Sequence, residues 1–202
     1  MITSNSNAQI ISARKLLESK FRRTSGLFLA EGLRVVGQAL ESHAGIEQLI
    51  FSPELLISEY GRSLVEGAQE QEIPLLEVSA SVFSSLARKD KPQGIAAVIQ
   101  QKWFSLGQLV KGDQGIWVAL ESVQNPGNLG TILRTCDAVA AKGLILLNDS
   151  TDPYDPAAIK ASMGSIFTIA VSRANFESFS QWISANPQLS LVGTSDKAHL
   201  DA

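Results

Sequence analysis

Between residues 113 and 202, short apolar runs alternate with segments of helical periodicity, and this alternation restricts the fold more than any other feature of the chain. The apolar run at residues 116–120 leads through the loop ESVQNPGNLG into a helical segment, LGTILRTCDAVAA, that runs to Gly143. LILL, the acidic loop NDSTDPYDP, the helical AAIKASM capped by Gly164, IFTIAV, the helical FESFSQWISA and LSLVGTS follow in turn. A β-α-β-α-β-α-β order requires a parallel sheet joined by right-handed crossovers, with ligands expected at the carboxyl ends of its strands. The chain stops at Ala202, just past the last expected strand, so this half reads as an incomplete sheet.

The first hundred residues also alternate. The pattern predicts a basic amphipathic helix from Ile10, a strand at 26–30 and a helix over about 33–41. Next come the strand IEQLIFSP, the helix LISEYGRSLVEGAQEQE, the strand IPLLEVS, the short helix SASVFSSLAR and a loop leading into the strand GIAAVIQQ. We expect a small α/β domain with its own sheet over residues 1–104, a polar linker near 105–115 and a second α/β domain over 113–202.

Composition narrows the function classes. Hydrophobic residues make up 45% of the chain and charged residues 18%, the balance of an ordinary globular protein. No run approaches the roughly 18–20 apolar residues of a membrane span, and the N-terminus lacks a signal-peptide pattern, which predicts a cytoplasmic protein without a membrane partner. With one cysteine, Cys136, and two histidines, His43 and His199, neither a disulfide framework nor a zinc site is expected. The net charge of −3 conceals an uneven distribution. Residues 1–40 carry Arg14, Lys15, Lys20, Arg22, Arg23 and Arg34 against two glutamates; residues 41–78 hold eight glutamates against Arg62, and Arg88, Lys89 and Lys91 then cluster around Asp90. Such patches serve either as solvated helix faces or as phosphate contacts.

The segment from Glu121 to Thr135 is the most specific in the chain. We expect Asn128 to cap a helix beginning at Leu129, and Gly127 and Gly130 to admit a close backbone or ligand. Leu129, Ile132, Leu133, Cys136 and Ala140 share one helical face, whereas Gly130, Arg134 and Asp137 share another. The loop lacks the glycines of a dinucleotide fingerprint and the Gly-Lys-Ser/Thr of a P-loop, leaving an anion-binding helix start and a simple capped helix both open.

LESVQNPGNLGTILRTCDA resembles the first signature motif of the SpoU/TrmH family of RNA ribose 2′-O-methyltransferases. DPAAIKASMGSIFTIAV is similar to a later block of that family, and LLESKFRRTSGLFLAEGLRVV and KPQGIAAVI resemble its substrate-binding domain. The resemblance implies a small α/β RNA-binding domain followed by a parallel-sheet α/β knot domain, a homodimer when full length, S-adenosylmethionine as methyl donor, and rRNA or tRNA as substrate. It places the catalytic arginine on Arg134 and the motif asparagine on Asn128. Thr194 falls toward the donor pocket. Glu121 and Ser162 fall to the substrate, and from the charge pattern Lys160, Arg22, Arg23, Arg88 and Lys89 are candidate substrate-phosphate contacts. The family's Gly-Asn-Glu-x-x-Gly and Ser-Leu-Asn-Val-Ser segments are absent, so the chain reads as C-terminally truncated before the knot and before most of the donor site.

A ribose hydroxyl is a poor nucleophile, so methyl transfer to it needs alignment and a route for the proton. Arg134 can bind RNA phosphate and polarise the hydroxyl more readily than it can act as a free base; base and orienter both stay open. Two rival readings remain: a non-catalytic RNA-binding remnant, and a nucleotide-binding α/β enzyme with its anion site at Asn128. Trp103, Trp117 and Trp182 read as core or domain-interface residues rather than base-stacking ones, and Ser162 reads equally as the last turn of its helix.

Overall fold

The computed structural model describes residues 1–87, 92–109 and 115–194. Its elements are, in order, α1 (Ala8–Lys15), α2 (Ser19–Ser25), β1 (Leu27–Glu31), α3 (Leu33–Glu41), β2 (Ile46–Phe51), α4 (Glu59–Glu70), β3 (Leu75–Glu77), α5 (Ala80–Leu86) and β4 (Ile95–Gln100). The second half adds α6 (Leu106–Leu109), β5 (Trp117–Glu121), α7 (Pro126–Ala138), β6 (Gly143–Leu147), α8 (Pro156–Ser162), a 3-10 turn (Ser165–Phe167), β7 (Ala170–Ala174) and α9 (Phe176–Ser184).

Two separate sheets form, as the alternation predicts. The first is mixed, in the order β1-β4-β2-β3, with β4 antiparallel to both neighbours. Successive strand residues point to opposite faces, and β4 uses both. Ile95, Ala97 and Ile99 join the core under α3 and α4, while Ala96 and Val98 join the core under α1 and α5. A strand covered on both faces reads as a continuous apolar run, which GIAAVIQ is.

The second sheet is parallel, in the order β5-β6-β7. Its middle strand is buried throughout: Leu144 and Leu146 face α7 and α8, whereas Ile145 and Leu147 pack with Leu109 and Phe179 of α6 and α9. The α7/α8 layer also meets the α3 face of the first sheet. Phe28, Val36 and Leu49 thus share one hydrophobic cluster with Leu129, Leu133 and Leu144.

Four local expectations change. The basic helix from Ile10 breaks into α1 and α2, the second ending at Gly26 in the left-handed region with φ 70°. IFTIAV opens with a 3-10 turn, and its strand begins only at Ala170. α8 ends one residue earlier than expected, at a left-handed Met163 (φ 54°) that precedes Gly164 (φ 104°). LSLVGTS forms no strand within the described residues, which end at Thr194. A strand needs a neighbour to take its backbone hydrogen bonds; here Leu191 and Val192 stand 65% and 75% exposed instead.

Candidate active site

The carboxyl ends of β5, β6 and β7 are stitched into one rim. Ser122 N donates to Leu147 O, and Asn148 N donates to Ala174 O. The Asn148 amide donates to Glu121 Oε1 at 3.3 Å and accepts from Phe176 N at 3.2 Å, joining all three strand ends. Ser150 Oγ donates to Leu147 O at 2.7 Å and accepts from Val123 N at 3.3 Å. Ser122 and Asn148 both adopt positive φ, 49° and 51°. Asparagine tolerates that region, so only the asparagine gives a sequence signal for this turn. Neither Asn148 nor Ser150 was among the predicted site residues.

From this rim the chain enters α7. The cap is Asn125, whose Oδ1 accepts from Asn128 N at 3.1 Å, and not Asn128 as expected. Pro126 explains the shift: it lacks an N–H and has a preset φ, which suits the first helical position and starts the helix three residues before Leu129. Asn128 is thereby released from capping. Its amide is exposed and has no partner among the described residues. Leu129, Leu133 and Cys136 face inward as predicted and Ile132 is half-buried, while Ala140 lies beyond the helix and exposed.

Gly130 is needed for helix packing. A Cβ there would lie 2.7 Å from Ala161 Cβ and 2.9 Å from Ser162 N, so α7 and α8 approach closely at this point. Arg134 follows one turn later, exposed and without a hydrogen bond or ion pair among the described residues. One turn further, Asp137 accepts from Ser165 Oγ at 2.9 Å and from Thr168 Oγ1 at 2.8 Å. Arg134 therefore stands between two fixed neighbours on the flank of α7. Six residues separate it from Asn128, which sets the two about 9 Å apart along the axis and on different faces.

The remaining predicted residues scatter. Glu121 is exposed at the rim. Ser162 is fully buried, its Oγ donating to Ile159 O at 2.8 Å and accepting from Gly164 N at 3.4 Å, so it closes α8 and does not face a ligand. Lys160 is exposed and lines a cleft of about 540 Å³ between the halves, with Arg34, Tyr60 and Gln93 opposite. Arg22 is 1% exposed: its Nε donates to Asp152 Oδ2 at 2.8 Å, Nη2 to Asp155 Oδ2 at 3.2 Å and Nη1 to Leu16 O at 3.0 Å. A guanidinium so placed has no face left for phosphate, which corrects that expectation. Arg23 remains exposed. Thr194 is exposed at the end of the described chain, outside any strand, and Arg88 and Lys89 lie outside the described residues.

Two titratable groups are displaced. Burial pushes the Cys136 thiol up, keeping it protonated and unreactive. Burial pushes the Tyr154 phenol up as well, helped by the nearby Asp152 charge and opposed by its hydrogen bond to the Lys102 backbone. Among the described residues no group of three or more His, Cys, Asp or Glu is arranged to hold a metal ion.

Residues 7–97 match the MRM3-like substrate binding domain, and residues 115–201 match the SpoU rRNA Methylase family. A 23S rRNA uridine 2′-O-methyltransferase of Streptomyces viridochromogenes is 28% identical over 96% of this chain and 69% of its own length. The 23S rRNA guanosine 2′-O-methyltransferase RlmP of Bacillus subtilis is 29% identical over 88% of this chain and 66% of its own. The crystal structure of the AdoMet-bound rRNA methyltransferase from Sinorhizobium meliloti superposes with a TM-score of 0.80 at 35% identity, over 91% of this chain and 68% of that one. The chain thus spans about two thirds of each relative. With the family match over residues 115–201 and a solved rRNA methyltransferase 35% identical to it over 68% of that chain, the chain belongs to the SpoU rRNA methylase family.

Proposed function

We propose that this chain takes part in S-adenosylmethionine-dependent methylation of a ribose 2′-hydroxyl in ribosomal RNA. The observation that carries the reading is the segment from Glu121 to Arg134, folded as strand end, rim and capped helix, with the Asn128 and Arg134 side chains both without a partner among the described residues. Residues 1–104 act as the RNA-recognition domain and 113–202 as the methyltransferase domain, with tRNA as the alternative substrate; a homodimer and a cytoplasmic setting belong to the same proposal.

Arg134 binds an RNA phosphate next to the target ribose and polarises its 2′-hydroxyl, a task suited to a guanidinium that has no partner among the described residues. Asn128 offers an amide that donates and accepts at the helix start, near the strand ends where ligands of such sheets lie. Glu121 and Asn148 hold that rim in shape. S-adenosylmethionine, when bound, supplies an electrophilic methyl group and a good leaving group. Around the strand ends Glu121, Gln124, Asn125, Asn148, Phe176 and, beyond them, Thr194 are all exposed. Among the described residues the rim is open and does not enclose a donor of that size.

That openness favours a second reading, in which the chain binds RNA without transferring a methyl group itself. Calorimetry with S-adenosylmethionine separates the two: measurable binding supports the transferase, and none supports the RNA-binding protein. The transferase reading is tested directly by incubating the chain with labelled donor and ribosomal RNA and assaying alkali-stable 2′-O-methylated dinucleotides.

A further inference from the structure

The connector leaving β4 carries a surface that the proposed chemistry does not use. Trp103 is 40% exposed, although its position is fixed on three sides. Its Nε1 donates to Gln101 Oε1 at 3.0 Å, and its ring meets the buried Tyr154 edge-on at 5.3 Å. The Arg173 guanidinium lies 5.5 Å from its ring centroid. The backbone beside it is equally fixed: the Tyr154 hydroxyl donates to Lys102 O at 2.7 Å and accepts from Lys102 N at 2.9 Å, and Phe104 N donates to Val171 O of β7 at 2.9 Å. Lys102 is exposed, its Nζ 5.2 Å from the centroid of the Phe104 ring.

Arg173 has no ion pair among the described residues; its Nη2 instead donates to Thr151 O at 2.9 Å. Thr151 N donates in turn to Val123 O at 2.7 Å, in the loop that leads to Asn128. The Arg173 side chain thus bridges the indole and the loop that follows β6. A tryptophan that only filled the junction between the halves would be covered. We propose that Trp103, flanked by Arg173 and Lys102, is a stacking platform for an unpaired base of the RNA substrate, next to the ribose presented at the rim. An indole fixed before binding loses little side-chain freedom when a base stacks on it, and the two cations offer contacts to the adjoining phosphates. Stacking needs an exposed base face, so the platform selects single-stranded RNA over duplex.

This inference rests on RNA being the substrate, and its test needs no methyl donor. Binding of a fluorescein-labelled, unstructured oligoadenylate to the full chain is followed by anisotropy, and tryptophan emission is recorded in the same titration. Trp103→Ala is expected to weaken binding about tenfold, and Trp103→Phe, which keeps a ring, by no more than about threefold. RNA should quench the emission of the wild-type chain but not that of Trp103→Phe, a readout that a purely structural role for Trp103 would not move. Equal affinity of wild type and Trp103→Ala, or quenching that persists in Trp103→Phe, overturns the platform. Donor-free binding that depends on Trp103 supports the platform even where no methyl is transferred. Methyl transfer by a wild-type chain whose RNA affinity is unchanged by Trp103→Ala overturns the platform and leaves the methyltransferase reading in place.

Discussion

Arg22 in the first half and Asp152 in the second form an ion pair with Nε and Oδ2 2.8 Å apart, the arginine side chain 1% exposed. Asp155 takes a second nitrogen of the same guanidinium and also caps α8 through Ala157 N. The two sheets are therefore joined by a buried charge and by the Phe28–Tyr154 ring contact at 4.8 Å, whereas residues 110–114 of the expected linker lie outside the described residues.

Removing the guanidinium leaves two aspartates facing each other and Leu16 O without its donor. Arg22→Ala should cost about 2–3 kcal/mol, less than a fully buried pair, because the aspartates remain about a quarter exposed and can hydrate. Urea denaturation checks this, and the shared core predicts that both halves still unfold in one transition. A change below about 0.5 kcal/mol contradicts the role assigned to Arg22.

Gly130→Ala decides between helix propensity and packing. At an open helical site the change would stabilise by up to about 1 kcal/mol. Here the new methyl meets Ala161 Cβ, Ser162 N and the Ala158 carbonyl oxygen, most of which is backbone that cannot swing aside. The expected result is a loss of about 1–3 kcal/mol in thermal or urea unfolding.

The two asparagines of the motif should separate stability from activity. Asn125→Ala removes the cap and should cost about 1 kcal/mol. Asn128→Ala should leave stability within about 0.5 kcal/mol while lowering methyl transfer, because its amide has no partner among the described residues. The reverse pattern would return the cap to Asn128.

These positions show how far the residues alone could be read. The order of strands and helices, the two sheets and the inward face of α7 were legible because they follow from periodicity. Arg22 was not: a cation in a basic run looks identical whether it meets phosphate or a carboxylate 130 residues away. For Ser162 the helix-end reading is the one the structure favours, and its full burial depends on α7 packing at Gly130, which no local pattern reports. LSLVGTS has a strand's composition, yet within the described residues no neighbouring strand pairs with it. Asn148 gave only the weak signal of an asparagine after an apolar run. The Asn125 cap was legible in principle from Pro126.

Tyr154 supplies a pH dependence. Its phenol is pushed above the ordinary tyrosine value of about 10, foremost by burial, so the folded chain holds the proton more tightly than the unfolded one. Its contribution is complete below that ordinary value and is lost as pH rises through the higher folded value. Melting temperature should therefore fall at strongly alkaline pH. Tyr154→Phe should flatten that fall while lowering stability at neutral pH, since Lys102 N and O both lose a partner.

The role of Arg134 is decided by comparing the wild-type chain with Arg134→Ala in transfer of labelled methyl from S-adenosylmethionine to ribosomal RNA. Alkali-stable 2′-O-methylation is expected of the wild type and a loss of about a hundredfold or more in the variant, with unfolding unchanged because Arg134 has no partner among the described residues. Equal transfer by the two chains, or none by the wild type, would contradict it.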